Sequence, residues 1–289
     1  MISFITLGGI ITLFAWGAAD YCAGKSGRVK QDPLLSNIVL RFIFALIIIP
    51  VFVFSGQSLP LIQPALYLIG SSLLFNAAYI FFIQAFSKGK FGVVTPIGNS
   101  YALITLLIGV VVFGASLTTL QITASILIVA GIIVLSLART TLQNKRTKTS
   151  AILWAMAAMF SWGFGFSLLE PAASALTWPQ FLVVLAVLGL FFSFVLYSVI
   201  QKRPPPWNEL RYSHTHYAWL AGAFMAIGAI SLYISIDLGE SVVIPVVLAS
   251  ASPLGTFLIA HIREKERLSS LGRVGAMIVV VGVILLNLQ

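Results

Sequence analysis

Charge is what this sequence has least of: only 9% of its 289 residues are Asp, Glu, Lys or Arg, against about 25% in soluble globular proteins. A domain so poor in charge cannot cover its own surface with polar groups, which excludes an ordinary soluble fold. Cysteine is nearly absent, and the single Cys22 excludes an intramolecular disulfide framework and any CxxC metal site. Histidine is scarce as well. His214, His216 and His261 lie near loops, and no metal is expected on them. No HExxH, GxxxxGKS/T or GxSxG pattern occurs, so metalloprotease, P-loop and nucleophile-elbow chemistry are not expected. No cofactor is implied, direct drive by ATP is excluded, and the chain is not expected to be an enzyme. What it has instead is 59% hydrophobic residues. A net charge of +9 would suggest nucleic acid for a soluble protein. In a membrane protein it reads as topology, so no nucleic-acid partner is expected.

A membrane helix needs about 20 mostly apolar residues. Such runs lie at about 4–23, 34–54, 65–86, 92–113 and 120–138, then at 151–169, 178–200, 218–237, 242–260 and 271–288. Turn or charge signals separate them, among them Gly24-Lys25-Ser26-Gly27, Ser55-Gly56-Gln57-Ser58, Lys88-Gly89-Lys90 and Lys202-Arg203-Pro204-Pro205-Pro206. A β-barrel would need strands of alternating polarity, and Phe42 to Phe54 or Ile126 to Leu137 do not alternate. The first run lacks a basic stretch before it and does not read as a cleaved signal peptide. The expected class is an all-α integral membrane protein with ten transmembrane helices, immersed in the lipid bilayer. With no long polar segment outside it, function must lie among the helices.

Of the 17 Lys and Arg, 15 fall in the odd-numbered loops, from Lys25, Arg28 and Lys30 in the first to Arg263, Lys265 and Arg267 in the ninth. Arg41 and Arg273 lie inside spans, and the even loops hold none. Basic loops mark the cytoplasmic side, so the charge count places both termini outside a bacterial-type cytoplasmic (inner) membrane.

The two halves match at nearly constant offsets. Phe14-Ala15-Trp16-Gly17 matches Phe160-Ser161-Trp162-Gly163, and Val93-Val94-Thr95-Pro96 matches Val242-Val243-Ile244-Pro245. Leu117-Thr118-Thr119-Leu120 matches Leu268-Ser269-Ser270-Leu271, and Gly131 to Leu135 matches Gly282 to Leu286. Five spans per unit is an odd number, so the halves insert with opposite orientation. The organisation is a first five-helix repeat over 1–140, a cationic linker at 141–150 and a second five-helix repeat over 151–289. Inverted repeats are a signature of secondary transporters.

These features resemble the ten-span EamA-type branch of the drug/metabolite transporter superfamily. The resemblance rests on Trp16-Gly17 and Trp162-Gly163, on Pro33 followed by Arg41-Phe42, and on Pro253 followed by Glu266-Arg267-Leu268-Ser269, Gly275 and Gly282. It departs at Ala115, which stands where the second half has the acid. It implies a solute site between spans 1, 3 and 4 of one half and spans 6, 8 and 9 of the other. It also implies export of amino acids or similar metabolites, and cytoplasmic termini, opposite to the charge count.

Polar groups inside the bilayer are costly, so each needs a reason. Asp20 and Arg41 lie near the same face in consecutive spans and are expected to pair, with a coupling or gating role. Asn76, Tyr79 and Gln84 share a broad face of span three, where amides meet either a neighbouring helix or a solute. Pro96 with Asn99 and Tyr101, and Pro245 with Ser250, Ser252 and Pro253, mark spans four and nine as broken helices lining a cavity. Trp16 lies too deep for an interfacial belt, and with Trp162 it suggests an aromatic wall; Trp178, Trp207 and Trp219 suit a belt better. Glu170, Asp237 and Glu240 read as a solvated boundary or an acidic mouth.

The expected solute site is therefore Trp16, Asn76, Tyr79, Asn99, Tyr101, Trp162, Tyr233, Ser250 and Ser252. These hold no unpaired acid or base, so a neutral or zwitterionic solute is expected. A polyanion would call for Arg or Lys in the pocket. Ala124 with Gly131, and Gly275 with Gly282, offer close helix approach in spans five and ten, either packing within a half or the seam of a homodimer. The expected function is a secondary transporter, an exporter of a small organic metabolite by alternating access with proton or solute exchange. The rival readings are a membrane-embedded enzyme or lipid-handling protein, which would need clustered acids or histidines, and a non-transporting assembly subunit, which would need no polar cavity.

Overall fold

Cap chemistry starts several of the helices where the sequence changes character. The computed structural model describes residues 4–28, 32–59, 62–89, 91–137, 149–172, 175–206, 208, 216–239, 242–264 and 269–286. Among them are twelve α-helices, one 3-10 turn at Glu170–Ala172, and no strand. In chain order they are α1 (Phe4–Arg28), α2 (Pro33–Phe54), α3 (Ile62–Lys88), α4 (Phe91–Asn99), α5 (Tyr101–Val111), α6 (Thr119–Leu137), α7 (Thr149–Ser167), α8 (Trp178–Gln201), α9 (His216–Gly239), α10 (Val243–Ala249), α11 (Pro253–Glu264) and α12 (Ser270–Leu286). The α2 start is fixed by Pro33 at its first position and by the Asp32 carboxylate, which accepts from Leu34 N at 2.9 Å.

Two pairs, α4/α5 and α10/α11, each make one interrupted crossing, so the twelve helices form ten crossings. Seven stretches among the described residues are long and apolar enough to cross a membrane by length and composition. Leu46, Leu107, Leu153, Phe191 and Met277 are exposed, as side chains facing lipid must be. The protein is an all-α, multi-pass integral membrane protein.

The packing follows a twofold that exchanges the halves. α1 lies along α9, and its repeat mate α7 lies along α3. α2 packs on its own mate α8, and α6 on its own mate α12. The cap chemistry repeats as well: Gln121 N donates to Thr118 Oγ1 at 3.2 Å before α6, and Gly272 N donates to Ser269 Oγ at 3.2 Å before α12.

Several boundaries differ from those expected. Gly24-Lys25-Ser26-Gly27 is not a turn; it lies inside α1, which runs five residues past the expected end at 23. Its glycines serve packing. A Cβ on Gly24 would sit 1.9 Å from Phe91 Cε1, and one on Gly27 would sit 2.7 Å from the Ile83 carbonyl. The small residues of α6 and α12 face each other between the halves. A Cβ on Gly131 would lie 2.9 Å from Gly275 O, and one on Gly282 would lie 2.9 Å from Ala124 O. The face on which packing within a half or a homodimer seam was expected is thus occupied by the other half of the same chain. A homodimer through these elements would have to use their outward residues, such as Ile126 and Val281. Most of the linker, together with Trp207, His214, Glu240 and Glu266, lies outside the described residues.

Candidate functional site

The two interrupted crossings meet α1 at their breaks. α4 ends one turn past Pro96, where the side chains of Asn99 and Ser100 turn back on the helix. Asn99 Nδ2 donates to Thr95 O at 3.0 Å, and Ser100 Oγ donates to Pro96 O at 2.9 Å. Such side-chain capture of carbonyls competes with the helical ladder. The α10/α11 break has a different cause. Pro253 has no N–H to donate and opens α11, and the preceding residues wind with short-range bonds from Ala251 N to Leu248 O and from Ser252 N to Ala249 O. Pro96 and Pro245 therefore lie inside their helices, and only Pro253 sits at a break.

At this junction three side chains from three elements close on one another. Asn99 Nδ2 donates to Asp20 Oδ2 at 2.9 Å. Ser252 Oγ donates to Asn99 Oδ1 at 2.8 Å and lies 3.3 Å from Asp20 Oδ2. Asp20 is 4% exposed, Asn99 3% and Ser252 fully buried. The first half supplies Asp20 and Asn99, and the second supplies Ser252.

Above the junction lies a central cavity of about 50 Å³. One water needs about 10–15 Å³, so the space holds a few waters. Of the expected residues Trp16, Asp20, Arg41, Tyr79, Asn99, Tyr101, Trp162 and Tyr233 line it. Its walls are aromatic. Trp162 meets the edges of Tyr79 at 5.3 Å and Phe82 at 4.8 Å, while Phe166 packs on Tyr101 at 5.1 Å and Phe75 at 4.8 Å. Trp16 is half spent on packing: its Nε1 donates to Met225 O at 3.3 Å, and Gly228 leaves room for its ring. Toward the basic end Tyr21 stacks on Phe91 at 5.6 Å, and Ser26 and Ser36 hydroxyls meet at 2.9 Å. Toward the other end Gln180 Nε2 donates to Ser58 O at 3.1 Å, and Thr177 Oγ1 donates to Gln57 Oε1.

Three expected residues stand apart from the cavity. Asn76 accepts from Asn37 Nδ2 at 2.7 Å and donates to Ser72 O at 2.8 Å, so it clamps α3 to α2. Ser250 Oγ donates to Val247 O on its own helix. Ser252 touches the cavity only through Asp20 and Asn99. The expected Asp20–Arg41 ion pair does not form. Asp20 is held by Asn99 and Ser252 instead, and the Arg41 guanidinium lies over the Tyr79 ring, 5.2 Å from its centre. The expectation that the pocket holds no unpaired charge is corrected with it, since both ions line the cavity without meeting. Glu170 is neither solvated boundary nor mouth alone, because its Oε2 accepts from Val242 N at 2.9 Å just before α10. Phe44, Phe75, Phe166, Leu185, Met225 and Ala229 line the cavity without having been expected. Among a chain's many apolar residues they carry no individual mark. The one available signal was the glycine spacing around Trp162 and Phe166, where Gly163 and Gly165 let Ile104 and Phe75 approach. Among the described residues no group of His, Cys, Asp and Glu could hold a metal.

Two inverted five-helix repeats enclosing a polar-aromatic cavity at their interface define a membrane transporter by architecture. The chain belongs to the EamA-like transporter family, whose model matches it twice, over residues 3–137 and 149–288. It is similar to a protein of Archaeoglobus fulgidus described as an uncharacterized transporter, with 23% identity over 230 residues covering 78% of this chain and 77% of that one. A solved crystal structure, 18% identical, superimposes with a TM-score of 0.70 over 100% of this chain and 98% of its own, a likeness of fold alone.

Proposed function

We propose that the protein is a secondary transporter that exports a small organic metabolite, such as an amino acid, across a cytoplasmic membrane by alternating access. The observation that carries this reading is the Asp20–Asn99–Ser252 junction beside the central cavity. It ties one interrupted crossing from each repeat to α1, so movement of one half against the other must remake the bonds of Ser252. The cavity is too small for a metabolite in this state. Solute enters when the packing at one end parts, and the side chains at the other end then serve as the closed gate. Asp20 is the natural coupling group: its carboxylate accepts from Asn99 and competes with Asn99 Oδ1 for the single Ser252 hydroxyl hydrogen, and a proton gained there turns an acceptor into a donor and loosens the junction.

The test is counterflow in proteoliposomes holding the purified chain, with amino acids, nucleosides, sugars and cationic drugs in turn. Saturable exchange of at least one solute is expected, accelerated by a proton gradient in the wild type. With Asp20→Asn, exchange should survive and the acceleration should vanish. A wild-type chain that moves none of these solutes sinks the proposal.

A further inference from the structure

Among the described residues the Arg41 guanidinium finds no hydrogen-bond or ion-pair partner, and only the Tyr79 ring face lies against it. Arg41 sits on α2, is 3% exposed, and its Nε and Nη2 are buried and donate to nothing. A guanidinium keeps its charge in a protein. Taking that charge out of water without a counter-ion is strongly unfavourable, and a ring face compensates only part of the loss. The acid that faces the same cavity offers no relief, because Asp20 binds Asn99 and Ser252 through Oδ2 and makes no ion pair with Arg41. Gly189 of α8 lies beside the guanidinium, where an added Cβ would make only ordinary contact, 3.4 Å from Arg41 Cδ and 3.7 Å from Nη1. The buried Tyr101 hydroxyl, also in the cavity wall, likewise meets no hydrogen-bond partner among the described residues.

We propose that Arg41 docks a carboxylate of the transported solute, and that the solute is a monocarboxylate with an apolar or aromatic body. The proposal rests on the transporter reading and names the substrate class of its site. A guanidinium presents a planar fork that matches one carboxylate with two parallel bonds. Among the described residues no other Lys or Arg lines the cavity, so a single anionic group is accommodated and a polyanion is not. The body of the solute meets Trp16, Tyr79, Trp162 and Phe166. A solute that also bears an ammonium group meets Asp20, whose Oδ1 takes no bond from the described residues. Plain carboxylic acids and amino-acid zwitterions thus share the chemistry that Arg41 reads.

The experiment titrates the purified full-length protein in detergent with 3-phenylpropionate, L-phenylalanine and phenethylamine, read by tryptophan fluorescence and thermal shift. The expected result is binding of at least one of the two carboxylates, with phenethylamine at least about tenfold weaker. Binding of both assigns recognition to the carboxylate alone, and binding of phenylalanine only adds the ammonium at Asp20. Arg41→Gln should weaken carboxylate binding by about tenfold or more, with Arg41→Lys intermediate. Arg41→Met should raise the melting temperature while losing the ligand response, because it removes an uncompensated buried charge; a purely structural arginine would lower it. Phenethylamine binding as tightly as 3-phenylpropionate, unchanged binding by Arg41→Gln, or no binding of either carboxylate overturns the proposal. Counterflow separates the two readings. Arg41→Gln transporting a carboxylate with unchanged KM sinks the arginine's role and leaves the transporter standing. Arg41-dependent binding without wild-type transport of any solute sinks the transporter instead.

Discussion

A polar side chain inside a membrane helix is satisfied by a neighbouring helix or by a solute, and spacing along one helix does not say which. Asn76 takes the first course, through Asn37 on α2. Asn76→Ala should therefore cost about 1 kcal/mol of stability, in line with hydrogen bonds between membrane helices, and leave transport intact. Adding Asn37→Ala should cost little more, as measured by thermal unfolding of single and double variants. The junction at Asp20 gives the opposite pattern for a pair once expected to interact. With no ion pair between them, Asp20→Asn and Arg41→Gln should be additive in stability, whereas Asp20→Asn and Ser252→Ala should couple by about 0.5–3 kcal/mol. Coupling between Asp20 and Arg41 of the same size would show that the two ions do meet in the folded protein.

Elements come together here where side chains are smallest. α6 and α12 approach so closely that a Cβ on Gly131 would lie 2.8 Å from Val279 N, and α1 meets α11 where one on Gly17 would lie 2.7 Å from Gly255 Cα. Backbone atoms cannot give way as a flexible side chain can. Gly131→Leu should abolish folded, monodisperse protein on size exclusion, while Ile133→Leu on the exposed face of α6 should be tolerated. The interrupted crossings call for a functional readout. Pro96→Ala restores an N–H to the interior of α4 and Pro245→Ala to the first turn of α10, so folded yield should hold while transport falls. Equal losses of both would reduce these prolines to packing.

For the whole molecule, helix alternation brings the ends carrying Lys25, Lys88, Lys202, Arg203 and Arg263 to one side of the bundle. From the charge rule we predict that this side is cytoplasmic and that both termini are external. A reporter active only in the cytoplasm, fused after Gln289, should then be silent; an active fusion would show the orientation that the family resemblance implies. The twofold exchange of halves is independent of that choice, because ten crossings leave both termini on one side in either case.

Hydrophobicity and charge act locally, and they alone determined the membrane class, the ten crossings and the odd-loop pattern of basic residues, because each follows from the free energy of placing one segment in lipid. The repeat was legible for a similar reason: Trp16-Gly17 and Trp162-Gly163, or Thr118 and Ser269, keep their chemistry at matching positions. Tertiary structure decided which polar groups face one another. Asp20 and Arg41 are close in sequence order and on the same face, yet Asp20 met Asn99 and Ser252 across the bundle, from positions 79 and 232 residues away. That choice depends on how far each helix rotates, which follows from packing of Gly17 on Gly255 and Gly228 on Trp16, contacts that no single segment specifies. For the same reason the apolar cavity wall was hidden, since in lipid Phe44, Phe75 and Phe166 are as well solvated outside the bundle as inside it, and only their neighbours assign them to the cavity.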